Sequence, residues 1–93
     1  MAITTVFMSQ NVKDKIIKEH NVTAEEVREV IFNAEDPPIF NKSKSKRYRA
    51  LGRTLAGRYL LVAFVYQTSD IIRVLTAREM TKSERKWYLE RRR

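Results

Sequence analysis

The apolar positions of this chain change their spacing several times, and each change marks a predicted element. Residues 2–8 alternate weakly and are rich in β-branched side chains, which predicts a first strand. Residues 58–66 are almost continuously apolar, as expected for a central strand buried on both sides. Strands are also predicted over 47–55 and 71–77. Short connections between the last three strands indicate an antiparallel meander.

Two helices are predicted between the first strand and the meander. The first has Asn11 as its predicted N-cap and an apolar stripe that ends near His20. The second begins with a capping box at Thr23 and carries apolar residues at helical spacing as far as Ala34. A Pro-Pro pair then stops it, because proline lacks the amide donor that a helix needs. These two helices are expected to cover one face of the sheet.

A third helix is predicted at the end of the chain. Thr81 and Glu84 form its capping box, and it extends through about residue 91. A polar, lysine-rich loop is predicted over 41–46. The order is β-α-α-β-β-β-α, which predicts an α+β fold with an antiparallel sheet packed against helices. The length of 93 residues fits a single domain over 1–93.

The composition excludes several classes of protein and site. There is no cysteine and only one histidine, so disulfides, thiolate metal sites and histidine metal sites are not expected, and no cofactor is predicted. No apolar run approaches the roughly 18 residues that span a bilayer, and no signal-peptide pattern begins the chain. We therefore expect a cytoplasmic protein with no membrane partner.

The net charge of +8 is unevenly distributed along the chain. Residues 1–41 carry four basic and seven acidic side chains, whereas residues 42–93 carry fifteen basic and four acidic ones. The positive field therefore comes from the second part of the chain. Such a field attracts polyanions through counterion release, which favours nucleic acid, an acidic protein surface, or both as partners.

Arginines inside the predicted strands give the most informative chemical signal. Burying a guanidinium is costly, and its fork of donors matches the oxygens of phosphate and carboxylate groups. A phosphate-bearing polymer is therefore the favoured ligand. Arg73 and Arg78 are five positions apart, so they point to opposite faces of a regular strand. They line one site only if the strand bends or ends near residue 77.

Three segments together resemble the BrnT family of bacterial type II toxins. They are Ile72-Arg73-Val74-Leu75-Thr76-Ala77-Arg78 leading to Glu84-Arg85 and Tyr88, the strand-turn-strand from Gly52-Arg53 to Gly57-Arg58-Tyr59-Leu60, and the His20 segment with its following Thr-capped helix. The resemblance implies a RelE-like ribonuclease fold. It also implies a cognate antitoxin that binds DNA as a ribbon-helix-helix dimer.

The sequence departs from the family pattern at three places. The Trp-Asp of the family after the first strand is Met8-Ser9 here, and its Lys-His-Gly is Glu19-His20-Asn21. The serine of its Ser-Ala-Arg motif is Thr76, which keeps the hydroxyl.

The activity implied by the resemblance is that of a metal-independent endoribonuclease. Such an enzyme removes the proton of the ribose 2′-hydroxyl, stabilises the charged phosphate, protonates the 5′-oxygen and leaves a 2′,3′-cyclic phosphate. Arg53 and Arg78 are predicted to clamp the phosphate, with ordinary surface salt bridges as the alternative. The alternative function is a non-catalytic module on the same fold that binds nucleic acid or a protein partner.

Three further side chains have a catalytic and a structural interpretation. His20 suits proton transfer near neutral pH, but a histidine at this position also favours the negative end of a helix. Glu84 is a candidate base or only a capping residue. Tyr88 is a candidate proton donor or stacking platform for a base, or a core residue beside Trp87.

Five more basic side chains are predicted to contact RNA. They are Arg47, Arg49, Arg73, Lys46 and Lys82. The antitoxin is expected to cover the same basic surface with an acidic or amphipathic segment.

Overall fold

The computed structural model describes residues 2–92. The elements are β1 (Thr5–Phe7), α1 (Gln10–His20), α2 (Ala24–Phe32), β2 (Ile39–Lys42), β3 (Arg47–Arg53), β4 (Tyr59–Tyr66), β5 (Ile71–Glu79) and α3 (Lys82–Arg91). The five strands form a sheet in the order β1-β5-β4-β3-β2. The predicted α+β class is therefore confirmed. None of the helices in residues 2–92 is long and apolar enough to cross a lipid bilayer.

The meander is antiparallel, as predicted, and it runs from β2 through β3 and β4 to β5. Strand β4 lies at its centre. Leu60, Val62 and Phe64 of β4 are fully buried on one face, whereas Leu61 is the buried residue on the other. The strand was predicted to be buried on both faces. One face is buried along the whole strand, but the other is buried only at Leu61, because α3 covers only one end of that face.

Two features of the sheet were not predicted, namely the edge strand β2 and the parallel pairing of β1. Residues 39–42 form the edge strand β2, so the predicted loop at 41–46 begins two residues later than expected. Asn41 pairs with Arg49 in this register. Strand β1 lies at the opposite edge and is parallel to β5, with Thr5 opposite Ile71. The sheet is thus antiparallel except at β1.

The helix ends follow from local hydrogen bonds. Ser9, and not Asn11, caps α1, because the Ser9 Oγ accepts a hydrogen bond from the N–H of Val12 at 3.2 Å. Helix α2 ends at Phe32, so Ala34 lies outside it. Both predicted capping boxes are present, at the start of α2 and at the start of α3.

Two apolar clusters lie on opposite faces of the sheet. The larger one lies under α1 and α2, which cover the same face as predicted, and it includes Ile16, Val30 and Phe64. The smaller one lies under α3, where Tyr88 packs on Leu51 and Leu61. Helix α3 covers one end of its face of the sheet, and the remainder of that face is open.

Candidate functional site

A β-bulge in β5 brings two arginines to the same face of the sheet. The pairing of β4 with β5 shifts by one residue, which leaves Leu75 without a partner on β4. As a result, Arg73 pairs with Val65 and Arg78 pairs with Leu61. Val65 and Leu61 are four positions apart on a regular strand, so they and their partners point to the same face. Arg73 and Arg78 were predicted to line one site only if the strand bends or ends near residue 77, and the bulge at Leu75 meets this condition.

Strand β3, which pairs with the other edge of β4, adds three arginines to this face. Arg47, Arg49 and Arg53 alternate along β3, and Arg47 pairs with the same Val65 that faces Arg73. We call the surface formed by Arg47, Arg49, Arg53, Arg73 and Arg78 the basic face. Cations concentrated on one open sheet surface produce a local positive potential that attracts anions.

Helix α3 places a carboxylate directly against Arg78. The Glu84 Oε1 and Oε2 atoms accept hydrogen bonds from Arg78 Nη1 and Nη2 at 2.8 and 2.9 Å. Glu84 Oε1 also accepts the backbone N–H of Thr81 at 2.9 Å, so the predicted capping role is present too. The Arg78 hydrogen bonds, against partial burial, lower the pKa of Glu84 to about 2. While it is paired in this way, Glu84 is a weak base.

A cavity of about 300 Å³ lies beside this pair, between α3 and the strands β2 and β3. Its lining residues are Asn41, Arg49, Leu51, Ser83, Glu84 and Trp87. The Nε–H of Arg49 is buried, and no hydrogen-bond acceptor reaches it within residues 2–92. The Arg49 side chain also has no ion-pair partner in that part of the chain.

Asp36 connects three side chains at the far end of α3. Its carboxylate accepts a hydrogen bond from the Tyr88 hydroxyl at 3.2 Å and forms an ion pair with Arg92. Arg53 Nη1 lies 3.8 Å from the same carboxylate, and its guanidinium lies 5.0 Å from the ring centroid of Tyr59. Arg53 is therefore partly engaged in contacts within the protein. Asp36 was not predicted as a site residue, because its only signal in the sequence is an acid before the Pro-Pro pair.

The structure places Tyr88 in the interior. Its side chain is 0% exposed, and its ring packs edge-to-face on Tyr59. Burial raises the pKa of the Tyr88 hydroxyl. An RNA base has no access to this ring in the folded protein, so the geometry supports the core interpretation of Tyr88.

His20 forms no ion pair with Glu84 in the described part of the chain. It is the last residue of α1, in the helical layer on the other face of the sheet. Its Nε2 lies 3.9 Å from the carboxylate of Glu19. The structure thus brings Arg78, Glu84 and Arg49 together but does not bring His20 into that group. Within residues 2–92, no three His, Asp or Glu side chains cluster in the way that metal ligands do.

Arg58 organises the corner near His20. Its Nη1 donates to both oxygens of Glu26 at 2.9 Å and to the backbone carbonyl of Asn21 at 2.9 Å, while Nη2 donates to Glu79 at 3.0 Å. These contacts join α1, α2 and the end of β5. Burial opposes ionisation of Glu26, but hydrogen bonds from Thr23 and Arg58 outweigh it and lower the pKa of this carboxyl. Arg58 was not predicted as a site residue, because its three partners are distant in the sequence.

The two predicted lysines lie at the margins of the basic face. Lys46 comes immediately before β3, in a turn where Ser45 has a φ of 56°. Lys82 is the first residue of α3. Both side chains are exposed, and neither forms an ion pair in the described part of the chain. Both are therefore available to a ligand that approaches the basic face.

Comparison with known proteins relates this arrangement to a family. Residues 9–84 match the family model described as "Ribonuclease toxin, BrnT, of type II toxin-antitoxin system". Among solved structures, the 1.1 Å crystal structure of the Brucella abortus ribonuclease toxin BrnT is similar, with a TM-score of 0.68 and 15% sequence identity. That match covers 85% of this chain and 99% of the other, which shows a shared fold. No curated protein matches the sequence.

Proposed function

This chain belongs to the BrnT family of ribonuclease toxins of type II toxin-antitoxin systems, and we propose that its basic face binds and cleaves RNA. The bulge at Leu75 is the observation that carries this proposal. It turns Arg73 and Arg78 toward the side of the sheet on which Arg47 and Arg49 lie. A regular β5 would have divided these charges between the two faces.

The spacing of the arginines suits a single RNA strand. Arg47 and Arg73 flank Val65 from its two neighbouring strands, and strands in a sheet lie about 4.8 Å apart. Their backbones are therefore about 10 Å apart, and both side chains extend from the same open face. Two long cationic side chains in this arrangement reach neighbouring phosphates of one strand. Guanidinium groups bind phosphate oxygens through paired hydrogen bonds.

Arg78 is the group that we assign to the scissile phosphate. In the free protein its guanidinium fork is occupied by Glu84, whose carboxylate has the same two-oxygen geometry that a phosphate offers. When phosphate displaces this carboxylate, Arg78 stabilises the negative charge that builds on the phosphorus oxygens. The displaced Glu84 loses the hydrogen bonds that depress its pKa, so its basicity increases.

The proposed reaction uses the 2′-hydroxyl of the RNA as the nucleophile. Glu84 accepts the 2′-hydroxyl proton while the 2′-oxygen bonds to phosphorus and the bond from phosphorus to the 5′-oxygen breaks. The 5′-oxygen leaves with a proton from water, and Glu84 returns its proton to solvent. The products are a 2′,3′-cyclic phosphate and a 5′-hydroxyl. His20 lies in the opposite layer and has no part in this scheme.

The experiment is incubation of purified protein with labelled RNA in excess EDTA. Wild type is compared with Arg78→Ala, with His20→Ala, and with Arg28→Ala on the outer surface of α2 as a control for loss of charge. We expect cyclic-phosphate products, a loss of about 100-fold or more for Arg78→Ala, and rates near wild type for the other two variants. A rate for Arg78→Ala equal to that of the control, in a folded protein, would contradict the assignment.

A binding module without catalysis is the second candidate function. The observation that favours it is the occupied Arg78 fork, which holds the proposed catalytic groups in an ion pair. Under this alternative, folded wild-type protein binds RNA without cleaving it, both alone and with ribosomes added. Cleavage in either condition excludes this alternative.

The family places this chain in a system that contains an antitoxin, and we infer a ribbon-helix-helix DNA-binding protein as that partner. The excess of basic residues over 42–93 supports a complementary acidic or amphipathic segment that covers the basic face. Co-expression with the neighbouring reading frame, followed by pull-down and sequencing of the captured protein, tests this inference. Recovery of the toxin as a lone monomer would contradict it.

A further inference from the structure

We propose that the cavity beside the Arg78–Glu84 pair is a recognition site for one guanine base of the RNA. The inference rests on the proposed function of the basic face and adds a sequence preference to it. The cavity lies between α3 and the strands β2 and β3, and Glu84 is one of its lining residues. A base held there is next to the phosphate that Arg78 is proposed to bind.

The size and apolar lining of the cavity fit a planar base. A volume of about 300 Å³ is at the small end of the range for ligand pockets, so the site suits one base and not a folded RNA element. Trp87 and Leu51 contribute apolar surface to the lining. Aromatic side chains bind unstacked RNA bases by stacking, and a phosphate gains nothing from such a surface.

Trp87 is held in place by its surroundings. Its ring packs against the smaller apolar cluster, and the guanidinium of Arg91 lies 4.2 Å from the ring centroid. A ring that is fixed in advance loses little conformational freedom when a base stacks on it, which favours binding.

Arg49 gives the site its preference among bases. Its guanidinium has no ion-pair partner within residues 2–92, and its buried Nε–H has no acceptor there. Because the Arg49 side chain lines the cavity and no carboxylate of the described residues competes for it, a ligand acceptor that binds the guanidinium adds to the binding free energy. The Asn41 side chain, on the neighbouring strand, contributes an amide with both a donor and acceptors to the same lining.

Guanine is the base that matches an unpaired guanidinium. It presents two adjacent acceptors, O6 and N7, and arginine binds both of them at once. Adenine presents an amino donor in place of O6, which opposes the arginine donors. Cytosine presents an amino donor, and uracil has a carbonyl but no N7 beside it. The chemistry of Arg49 therefore selects guanine over the other three bases.

The fluorescence of Trp87 reports binding in the cavity, because Trp87 is the one tryptophan in the sequence. We would titrate the purified protein with the 3′-monophosphates of guanosine, adenosine, cytidine and uridine and record tryptophan fluorescence. The phosphate is common to all four ligands, so differences in affinity report the base. We expect the guanosine nucleotide to bind at least ten times more tightly than each of the others. Equal affinities would overturn the proposal.

Two variants separate base recognition from general attraction. Arg49→Gln is expected to abolish the guanine advantage. Arg47→Gln removes the same charge from the same face, two positions away and outside the cavity, and is expected to weaken all four ligands equally while preserving the advantage. Asn41→Ala is a second cavity variant, to be used if Arg49→Gln does not fold. It is expected to reduce the guanine advantage. A guanine advantage that persists in both folded cavity variants would overturn the proposal.

The failure of this inference is distinguishable from failure of the proposed function. Cleaved RNA with no guanine enriched near the cut sites would overturn guanine recognition and leave the ribonuclease assignment intact. Guanine-selective binding that depends on Arg49, without any cleavage, would support the recognition site and count against the proposed catalysis.

Discussion

The guanidinium of Arg78 and the carboxylate of Glu84 meet side by side, joined by hydrogen bonds of 2.8 and 2.9 Å. Because Glu84 also accepts the Thr81 N–H, one carboxylate links the end of β5 to the first turn of α3. The two side chains are 35% and 18% exposed, so solvent screens the pair only in part. The pair therefore helps to fix α3 over the sheet, and with it the cavity beside Trp87.

Substitution of Glu84 by Gln should lower stability in a way that depends on pH. Gln retains the capping geometry but loses the charge opposite Arg78. The pKa of Glu84 is lowered from 4.5 to about 2, so its contribution is fully present above pH 4.5 and is lost as the pH falls toward 2. After allowance for solvent screening, we expect a loss on the order of 1 kcal/mol at neutral pH.

Urea unfolding of wild type and Glu84→Gln at several pH values measures this effect. Glu90→Gln is the matched control, because Glu90 lies on the same helix, is exposed and has no ion pair in the described structure. If the free energies of unfolding of wild type and Glu84→Gln differ by the same amount at neutral pH and at pH 2, the charge of Glu84 contributes nothing to stability.

Replacement of Arg73 by Ala should weaken RNA binding and reduce its dependence on salt. Arg73 is exposed on the basic face and has no ion pair within residues 2–92. Loss of one phosphate contact lowers the slope of log affinity against log salt concentration by about 1. Titration of labelled RNA at several salt concentrations measures the slope. Arg28→Ala, on α2, should leave the slope unchanged, and equal slopes for both variants would argue against RNA on the basic face.

The Tyr88→Phe variant separates a structural hydroxyl from a chemical one. Loss of the hydrogen bond to Asp36 is expected to cost about 1 kcal/mol, or somewhat more because the acceptor is charged. Cleavage of RNA should stay close to the wild-type rate, because Tyr88 is fully buried. Thermal unfolding and the cleavage assay give the two quantities. A large loss of rate in a stably folded Tyr88→Phe protein would assign the hydroxyl a role in the reaction.

Gly57→Ala should destabilise the turn between β3 and β4. Gly57 has a φ of 96°, which side chains disfavour, and an added Cβ would lie 3.1 Å from Arg53 Nη2. We expect a loss of about 1–3 kcal/mol in the free energy of unfolding. Ala56→Gly, at the preceding turn residue with negative φ, should cost no more than about 1 kcal/mol. Similar losses for the two variants would contradict the conformational explanation.

Local patterns predicted the elements that depend on local interactions. The capping boxes at Thr23 and Thr81 set the starts of α2 and α3, and the apolar run of β4 placed that strand at the centre of the meander. Short connections between strands fix their pairing, which is why the meander was predictable.

The features that the sequence did not predict depend on distant partners. A first strand was predicted, but its parallel pairing with β5, in which Thr5 lies opposite Ile71, was not. The extra residue at Leu75 is visible only once β5 is paired with β4. Asp36 likewise gains its role from Arg53, Tyr88 and Arg92, whose positions follow from the complete fold. His20 was selected by residue type and resemblance, and the structure places it at the end of α1, with Glu19 as its ion-pair partner.

The parallel pairing of β1 with β5 sets the order in which the protein is completed during translation. Thr4 hydrogen-bonds to Asp70, 66 positions later, and α1 packs on β5 as well. Strand β1 and helix α1 therefore gain their final contacts only after β5 has emerged from the ribosome. Arg73 and Arg78 lie on that same late strand. A nascent chain that stops before β5 therefore lacks two arginines of the basic face and the strand that joins β1 to the meander.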